Sequence, residues 1–393
     1  MTAPPRWLIF AVTVSGILAN SVLTPNIPDV LADLGRPSSQ AGWLVAASPL
    51  PGVLMAPIIG VMADRHGRRR ILVPCLTLFG LAAVASAFAP TFEALLAVRF
   101  IQGIGGAGLI NLAVVLIGDH WDGLERTTLI GRNSAVLTLS LALMPSLAGL
   151  IGDLAGWRWA LALGAVALPL AVTCWRVLPE GRPGATITIA GQLRGAAAVL
   201  GRRSVLTVLV TGVVLFTVIF GVFLTALPVH LEQEFGLGPR DRGFILSTFA
   251  LGASLVSFNL GWLRARLSAR TMLVAACMLI AVTSAGLGFA PTVALVAVAA
   301  ALYGLGDGTV IPALQDLITL AAPPEQRAAV MAAWVSGVRL GQTIGPIGAA
   351  WLFGVTSTAT TMLVGAALFA LVAAAMVVAP LPSDDPETTA APA

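Results

Sequence analysis

Three ionisable side chains lie within long apolar stretches of the sequence. Asp307 stands in YGLGDGTVIP, Arg339 in SGVRLGQTIGP and Arg99 in RFIQGIGGAG. A charge in such a setting is costly and usually faces a partner or a water-filled cavity. A carboxyl group there can take up a proton or pair with a cation, and an arginine can bind a carboxylate or backbone carbonyl oxygens. These residue types indicate proton or ion movement rather than the making and breaking of covalent bonds.

The spacing of Asp307 and Arg339 predicts that they lie at the same depth on two neighbouring helices. The turn between their segments centres near Pro323, 16 residues after Asp307 and 16 before Arg339. At about 1.5 Å per residue, both would lie roughly 24 Å from the turn, near the middle of a bilayer. They could form a static ion pair, or Asp307 could take up a proton with an affinity that Arg339 sets. We expect Asp307 to be the proton-coupling acid.

Other polar or aromatic residues in the same kind of stretch are weaker candidates for lining a cavity. They are Asn20, Gln102, Asn111, Tyr303, Trp334 and Gln342. Each of them could equally be packed in a core or bonded to a backbone carbonyl group. Asp29 and Asp33, at the end of the first apolar segment, are interpreted as residues of a mouth or of a helix cap.

The composition places these residues in a membrane protein. Of the 393 residues, 58% are apolar and only 10% are charged, and the mean hydropathy is +0.94. A soluble domain carries roughly 25% charged residues. The sequence has no Ser/His/Asp or metal-ligand constellation, and its three cysteines are scattered. We therefore expect no enzyme activity, no cofactor and no bound metal, and we do not interpret the net charge of +4 as a sign of nucleic-acid binding.

Apolar runs of about 20 residues, the length that a transmembrane helix needs, recur along the whole chain. Breaks at polar, glycine and proline positions predict an all-α protein of twelve segments, at 7–29, 41–63, 71–90, 92–117, 128–151, 158–179, 204–230, 242–263, 271–290, 293–319, 328–353 and 358–380. We divide the chain into an N-terminal six-helix bundle (1–180), a cytoplasmic linker (181–203), a C-terminal six-helix bundle (204–380) and a disordered cytoplasmic tail (381–393).

The two halves of the chain align at one constant offset of 201 residues. The matches include glycines, prolines and a tetrapeptide: Gly42 with Gly243, Gly103 with Gly304, Pro145 with Pro346, and FAPT at 88–91 with FAPT at 289–292. One register over six helices predicts two halves in the same orientation. Transporters built in this way place the substrate between the halves, near the midplane. Asp307 matches Gly106, so the midplane acid belongs to the C-terminal half alone.

The arginines predict the orientation in the membrane. All 22 basic residues are arginine, and with both termini in the cytoplasm 16 of them fall on cytoplasmic segments and four on outer segments. Cytoplasmic loops of membrane proteins carry an excess of basic residues. We therefore expect a multi-pass protein of the cell membrane with both termini in the cytoplasm.

Several motifs resemble those of the major facilitator superfamily. GVMADRHGRRR (60–70), between the second and third segments, is similar to its signature loop, and RFIQGIGGAG (99–108), in the fourth, is similar to its second motif. LSLALMPSLAG (139–149), in the fifth segment, is similar to its antiporter motif, with Met144 in place of the glycine before the proline. The resemblance covers about residues 7–380. It implies twelve helices in two pseudo-symmetric halves.

The resemblance also implies roles for particular residues. The signature loop would form a cytoplasmic gate that holds the second helix against the eleventh while the cavity faces outward. The residues of this gate would be Gly60, Asp64, Arg65, Gly67 and Arg68. Arg99 would relay protons or poise buried acids, and bonding to carbonyl groups of neighbouring helices is an equal alternative. Pro145 and Pro346 would each remove a helix hydrogen bond and bend their helices, as hinges or for packing alone.

We predict a secondary transporter that works by alternating access, as a proton-coupled exporter of small lipophilic or drug-like compounds. Its partners would be that substrate, protons and the lipid bilayer, and it would act as a monomer. Two alternatives stay open. On the same fold it could export a metabolite such as a sugar, amino acid or siderophore, or import one together with protons. From a different class, it could be a membrane receptor that transports nothing.

Overall fold

A computed structural model of the protein describes residues 3–179, 203–321 and 327–381, so nearly all of the predicted linker and tail lies outside the described residues. Within these ranges the chain is helical and has no β-strand. The long helical segments are α1 (Arg6–Asp33), α2 (Ser38–His66), α3 (Arg68–Ala87), α4 (Phe92–His120), α5 (Gly123–Ala155), α6 (Trp157–Val177), α7 (Arg203–Phe235), α8 (Pro239–Arg264), α9 (Ala269–Phe289), α10 (Val293–Ala321), α11 (Arg327–Val355) and α12 (Thr358–Val378).

The length of these segments suits a bilayer. Among the described residues, ten segments are long and apolar enough to cross a membrane. The other two, α8 and α11, have 26 and 29 residues, more than the roughly 20 that a span requires. The prediction of an all-α membrane protein is therefore confirmed. Two segments depart from regular α-helix, because α1 contains a 3₁₀ turn at Thr24–Asn26 and α7 contains a π-helical stretch at Ile219–Ala226.

Matched residues end and begin the helices of the two halves. Gly35 after α1 and Gly236 after α7 have φ values of 62° and 61°, which favour glycine because it lacks a Cβ atom. The hydroxyl groups of Thr91 and Thr292, in the repeated FAPT string, accept hydrogen bonds from amides in the first turns of α4 and α10. The repeat seen in the sequence is therefore present in the local structure of both halves.

The packing of helices within each half follows the same repeat. A Cβ atom on Gly103 of α4 would collide with the carbonyl oxygen of Ser48 in α2. A Cβ atom on the matched Gly304 of α10 would collide with the carbonyl oxygen of Phe249 in α8, and Phe249 is the residue that matches Ser48. Small residues allow membrane helices to approach closely and to pack by van der Waals contact. Helices 4 and 10 are thus fixed to helices 2 and 8 by equivalent backbone contacts.

We expect Gly304→Val to destabilise the C-terminal half, because a backbone carbonyl cannot move aside as a side chain can. Overpacking of this kind costs roughly 1–3 kcal/mol or more. The measurement is the midpoint of thermal unfolding of the purified protein in detergent. Gly348→Val is the matched control, since it is also helical and a Cβ atom there meets nothing within 4 Å. Equal midpoints for the two variants would contradict the prediction.

Two seams join the halves, and both cross at a glycine. On the first seam, Gly42 of α2 lies against the carbonyl oxygen of Pro346 in α11. On the second, Gly243 of α8 lies against the carbonyl oxygen of Pro145 in α5. Both predicted hinge prolines therefore lie where the halves touch. Their role as hinges stays a prediction.

Successive helices run in opposite directions, which gives the bundle two ends. We call the end that contains the turn at Gly67 the arginine-rich end, and the end that contains Gly35 and Gly236 the far end. Each half has its own buried apolar core. The buried polar residues discussed below lie in these cores or between the halves.

Candidate functional site

Asp307 lies at the centre of α10, 14 residues from each end of the helix. It belongs to a continuous buried stripe at spacings of three and four residues, which is one face of a helix. The stripe consists of Val296, Ala300, Tyr303, Asp307, Val310, Leu314 and Leu317. Asp307 is 5% exposed, and its Oδ1 atom has no hydrogen-bond partner among the described residues. A buried polar atom without a partner costs roughly 1–3 kcal/mol, so this position calls for a functional explanation.

Aromatic rings surround the neighbour of Asp307 on this stripe. The ring of Tyr303, one helical turn from Asp307, stacks on Phe223 of α7 with 5.4 Å between centroids and contacts Phe249 of α8 at 5.9 Å. Tyr303 is fully buried, and its hydroxyl group also has no partner among the described residues. Tyr303 is therefore packed rather than open to a cavity. Two unpartnered polar groups thus lie one turn apart in an apolar and aromatic setting.

Arg339 does not face Asp307, which corrects the expected pairing. None of the ion pairs among the described residues joins the two side chains. Instead, Arg339 Nη1 donates to Gln342 Oε1 at 3.3 Å, and the side chain packs against Gly52 of α2. The physical reason is direction around the helix axis. Arg339 points to the seam between the halves, whereas the stripe that carries Asp307 points into the C-terminal core.

Arg99 is 1% exposed and binds carbonyl groups of two neighbouring helices. Its Nε donates to the carbonyl oxygen of Leu44 at 3.0 Å and its Nη1 to that of Ala19 at 3.0 Å. Its Nη2 donates to Asn20 Oδ1 at 2.7 Å. The geometry agrees with the alternative of carbonyl bonding, in which Arg99 fastens α4 to α1 and α2. Proton relay by Arg99 stays a prediction.

The weaker candidates fall into different environments. Gln102 is buried with an unpartnered Oε1 among the described residues, and Asn111 is exposed. Trp334 is buried in the C-terminal core, where its ring fills the space beside Gly212 of α7. Trp334 is therefore a packing residue. Among the residues that the structure describes, no group of three or more His, Cys, Asp or Glu side chains could hold a metal ion.

The signature loop is tied to its own half. Arg68 donates to Asp64 and, through Nε, to Asp119 Oδ2 at 2.9 Å, near the end of α4. Arg65 is exposed, and a Cβ atom on Gly60 would meet nothing within 4 Å. Gly67, with φ of 96°, makes the turn between α2 and α3. Among the described hydrogen bonds and ion pairs Asp64 contacts Arg68 alone, and its predicted contact with α11 belongs to a different conformation.

A charged contact at the far end joins the halves, and sequence reasoning missed it. Arg242 in the first turn of α8 is 1% exposed and forms an ion pair with Asp29 in α1. Two donors of Arg242, Nε and Nη1, have no partner among the described residues. Asp33, one turn further along α1, pairs with Arg158 of its own half. The only signal in the sequence was an acid near the end of α1, because the offset of 201 matches Arg242 to Ala41.

Two repeated six-helix halves, a buried acid at mid-membrane depth and charged contacts at both ends define the class of membrane transporters with a parallel repeat. The family model of the Major Facilitator Superfamily matches residues 9–241 and 209–393, and the chain belongs to this superfamily. It is therefore a membrane transporter for small molecules and not an enzyme.

Relatives of the chain include exporters of several kinds. It is 27% identical to the bacillibactin exporter of Bacillus subtilis over 345 residues, which is 84% of this chain and 85% of that protein. It is 32% identical to the multidrug transporter protein MdtP of Bacillus subtilis, but over 36% of this chain and 26% of that protein. The puromycin resistance protein pur8 of Streptomyces alboniger is 32% identical over 46% of this chain and 37% of that protein.

Solved structures support the fold. A bacterial homolog of the human lysosomal transporter Spinster, in an inward-facing and occupied conformation, superposes with a TM-score of 0.79 at 16% identity and covers 99% of this chain and 98% of its own. The nucleoside transporter NupG superposes with a TM-score of 0.79 at 14% identity, over 95% of this chain and 98% of its own. At these identities the likeness concerns the fold alone.

Proposed function

We propose that the protein is a proton-coupled exporter of small lipophilic compounds, in which Asp307 takes up and releases the coupling proton. The observation that carries the proposal is the isolated carboxyl group at the centre of α10, held in an apolar and aromatic setting without a counter-ion. A group of this kind changes its energy strongly with protonation, because burial of an unpaired charge is far more costly than burial of a neutral acid. Relatives named for multidrug transport and puromycin resistance support the substrate class.

The proposed orientation places the arginine-rich end in the cytoplasm. Basic residues concentrate at that end, as is usual for cytoplasmic loops. The ion pair of Asp29 and Arg242 closes the far end between the halves. In this conformation the transport path would therefore be blocked on the outside. Export then requires that this contact separate while the arginine-rich ends of the halves come together.

A second candidate function is the export of a siderophore or a similar polar metabolite. The specific observation in its favour is coverage, since the bacillibactin exporter aligns over 84% of the chain and the multidrug transporter protein over 36%. Gln102 and Tyr303, whose polar atoms lack partners among the described residues, would then need substrate hydroxyl or amide groups.

Flux in proteoliposomes separates these functions. The purified protein is reconstituted, a pH gradient is imposed, and accumulation of lipophilic dyes is compared with accumulation of a catecholate siderophore. We expect dye transport that requires the pH gradient. Siderophore transport without dye transport would favour the second candidate. If neither compound moves while the protein remains folded and binds substrate, the exporter proposal is wrong.

We expect Asp64→Asn to lower turnover several-fold with little change in substrate affinity. The carboxylate of Asp64 orients Arg68, which also holds Asp119 of α4, and this network has to rearrange when the arginine-rich ends close. The measurement is the transport rate at saturating substrate beside equilibrium binding. Glu125→Gln is the control, because Glu125 makes an exposed pair with Arg6 at the same end. Loss of binding at normal turnover would contradict the proposed gate.

A further inference from the structure

A cavity of about 440 Å³ opens at the far end of the first seam, away from Asp307. It lies between the first residues of α2 and the last residues of α11. Trp43 of α2 is 51% exposed at its side, and Trp351 of α11 is 66% exposed. Small-molecule sites commonly have volumes of roughly 300–1,000 Å³. The cavity is thus large enough for a ligand and is bounded by one tryptophan from each half.

The rigid contact beside the cavity explains why it stays open. Gly42 lies against the carbonyl oxygen of Pro346 and against Ala350, so the two helix backbones touch. Beyond this crossing the helices diverge towards the far end. The large rings of Trp43 and Trp351 then stand apart with Ser39 and Gln40 between them and the end of the helix. The opening faces the surrounding lipid because both rings are exposed there.

The repeat supplies a comparison that points to a dedicated site. The second seam has the same backbone crossing, at Gly243. At the offset of 201 residues, however, its matching positions carry different side chains. Phe244 stands for Trp43, Leu150 for Trp351 and Asp241 for Gln40. Two tryptophans and an uncharged amide are therefore specific to the first seam and do not follow from the fold alone.

The polar group of the cavity indicates the chemistry of its ligand. Gln40 Oε1 is buried and has no hydrogen-bond partner among the described residues. An acceptor in this state requires a donor, and leaving it without one costs roughly 1–3 kcal/mol. Tryptophan rings occupy the boundary between the lipid tails and the head groups in membrane proteins. A ligand that fits must therefore present N–H donors at head-group depth and an apolar chain beside the rings.

We propose that this cavity binds one molecule of phosphatidylethanolamine from the leaflet at the far end. The ammonium group donates a hydrogen bond to Gln40 Oε1, and one acyl chain lies between Trp43 and Trp351. Because these rings belong to different halves, the bound lipid bridges the seam. Phosphatidylcholine has the same charge and the same chains but no N–H donor, so it lacks the contact to Gln40.

The test is tryptophan quenching in nanodiscs by phosphatidylethanolamine with brominated acyl chains, titrated into phosphatidylcholine. For the wild type we expect a component of quenching that saturates at a low mole fraction. In Gln40→Leu the half-saturating mole fraction should rise about tenfold. Asp241→Asn, at the matching position of the second seam, should leave the titration unchanged. The saturating component should vanish in Trp43→Phe/Trp351→Phe, which removes the two reporting rings.

Several results would overturn the proposal. Quenching that increases in simple proportion to the mole fraction would mean ordinary boundary lipid. An identical curve with brominated phosphatidylcholine would assign the cavity to recognition of the cation by the tryptophan rings. Displacement of the brominated lipid by a transported compound would make the cavity a substrate route. Native mass spectrometry of the wild type gives a second measure that needs no variant, since it should retain one phosphatidylethanolamine in preference to phosphatidylcholine.

Discussion

Asp307→Asn should abolish transport driven by a pH gradient while the protein still exchanges substrate downhill. Asparagine has nearly the shape of aspartic acid and keeps its place in the buried stripe of α10, but it cannot gain or lose a proton. A gradient of one pH unit is worth about 1.4 kcal/mol per proton, or about tenfold accumulation at one proton per substrate. In proteoliposomes we expect the wild type to approach that accumulation and the variant to stop at equal concentrations.

The control for this prediction lies on the same helix. Asp316 is half-exposed near the arginine-rich end of α10 and pairs with Arg264 at 2.9 Å. Exposed pairs of this kind contribute at most about 1 kcal/mol, so Asp316→Asn should retain coupled transport. Substrate binding to Asp307→Asn, measured by thermal shift, shows that the variant is folded. Full accumulation by Asp307→Asn would remove Asp307 from the coupling mechanism.

The repeat and the helices were predictable because they depend on short-range patterns. Apolar runs of bilayer length predict helices, and one offset over six helices predicts two halves in the same orientation. The structure returns both at the level of single residues, as in the turns at Gly35 and Gly236. The close contact of Gly304 with Phe249 repeats that of Gly103 with Ser48. The depth of Asp307 also followed from counting residues along one helix.

The partners of buried charges were not predictable in the same way. Counting residues gives the depth of Arg339 but not its direction around the axis of α11, and that direction sends it to Gly52 and Gln342 rather than to Asp307. The ion pair of Asp29 and Arg242 joins residues 213 positions apart. The repeat relates positions within the two halves, so it carries no information about a contact between them. Such contacts depend on how the halves dock.

Asp29→Asn should open the far end of the transporter. In the present conformation Arg242 is almost fully buried at the interface of the halves, and Asp29 is its one ion-pair partner among the described residues. Removal of one partner from a buried pair costs roughly 3–5 kcal/mol, because a charge is left without compensation. Asp29 is 38% exposed, so only part of that cost applies here. Opening brings Arg242 into water and relieves the cost, and we expect at least a tenfold shift towards the open far end.

Distances between spin labels would measure this shift. Pro90 and Pro291 are exposed, matched positions in the far-end loops of the two halves, and the three native cysteines are buried. We expect the distance distribution of Asp29→Asn to move towards longer values. Asp33→Asn is the matched control, since Asp33 lies one turn away on the same helix but pairs with Arg158 within its own half. If the two variants gave the same distribution as the wild type, the contact of Asp29 with Arg242 would not hold the far end closed. A shift in Asp29→Asn alone would show that the pair does so, because only that pair spans the two halves.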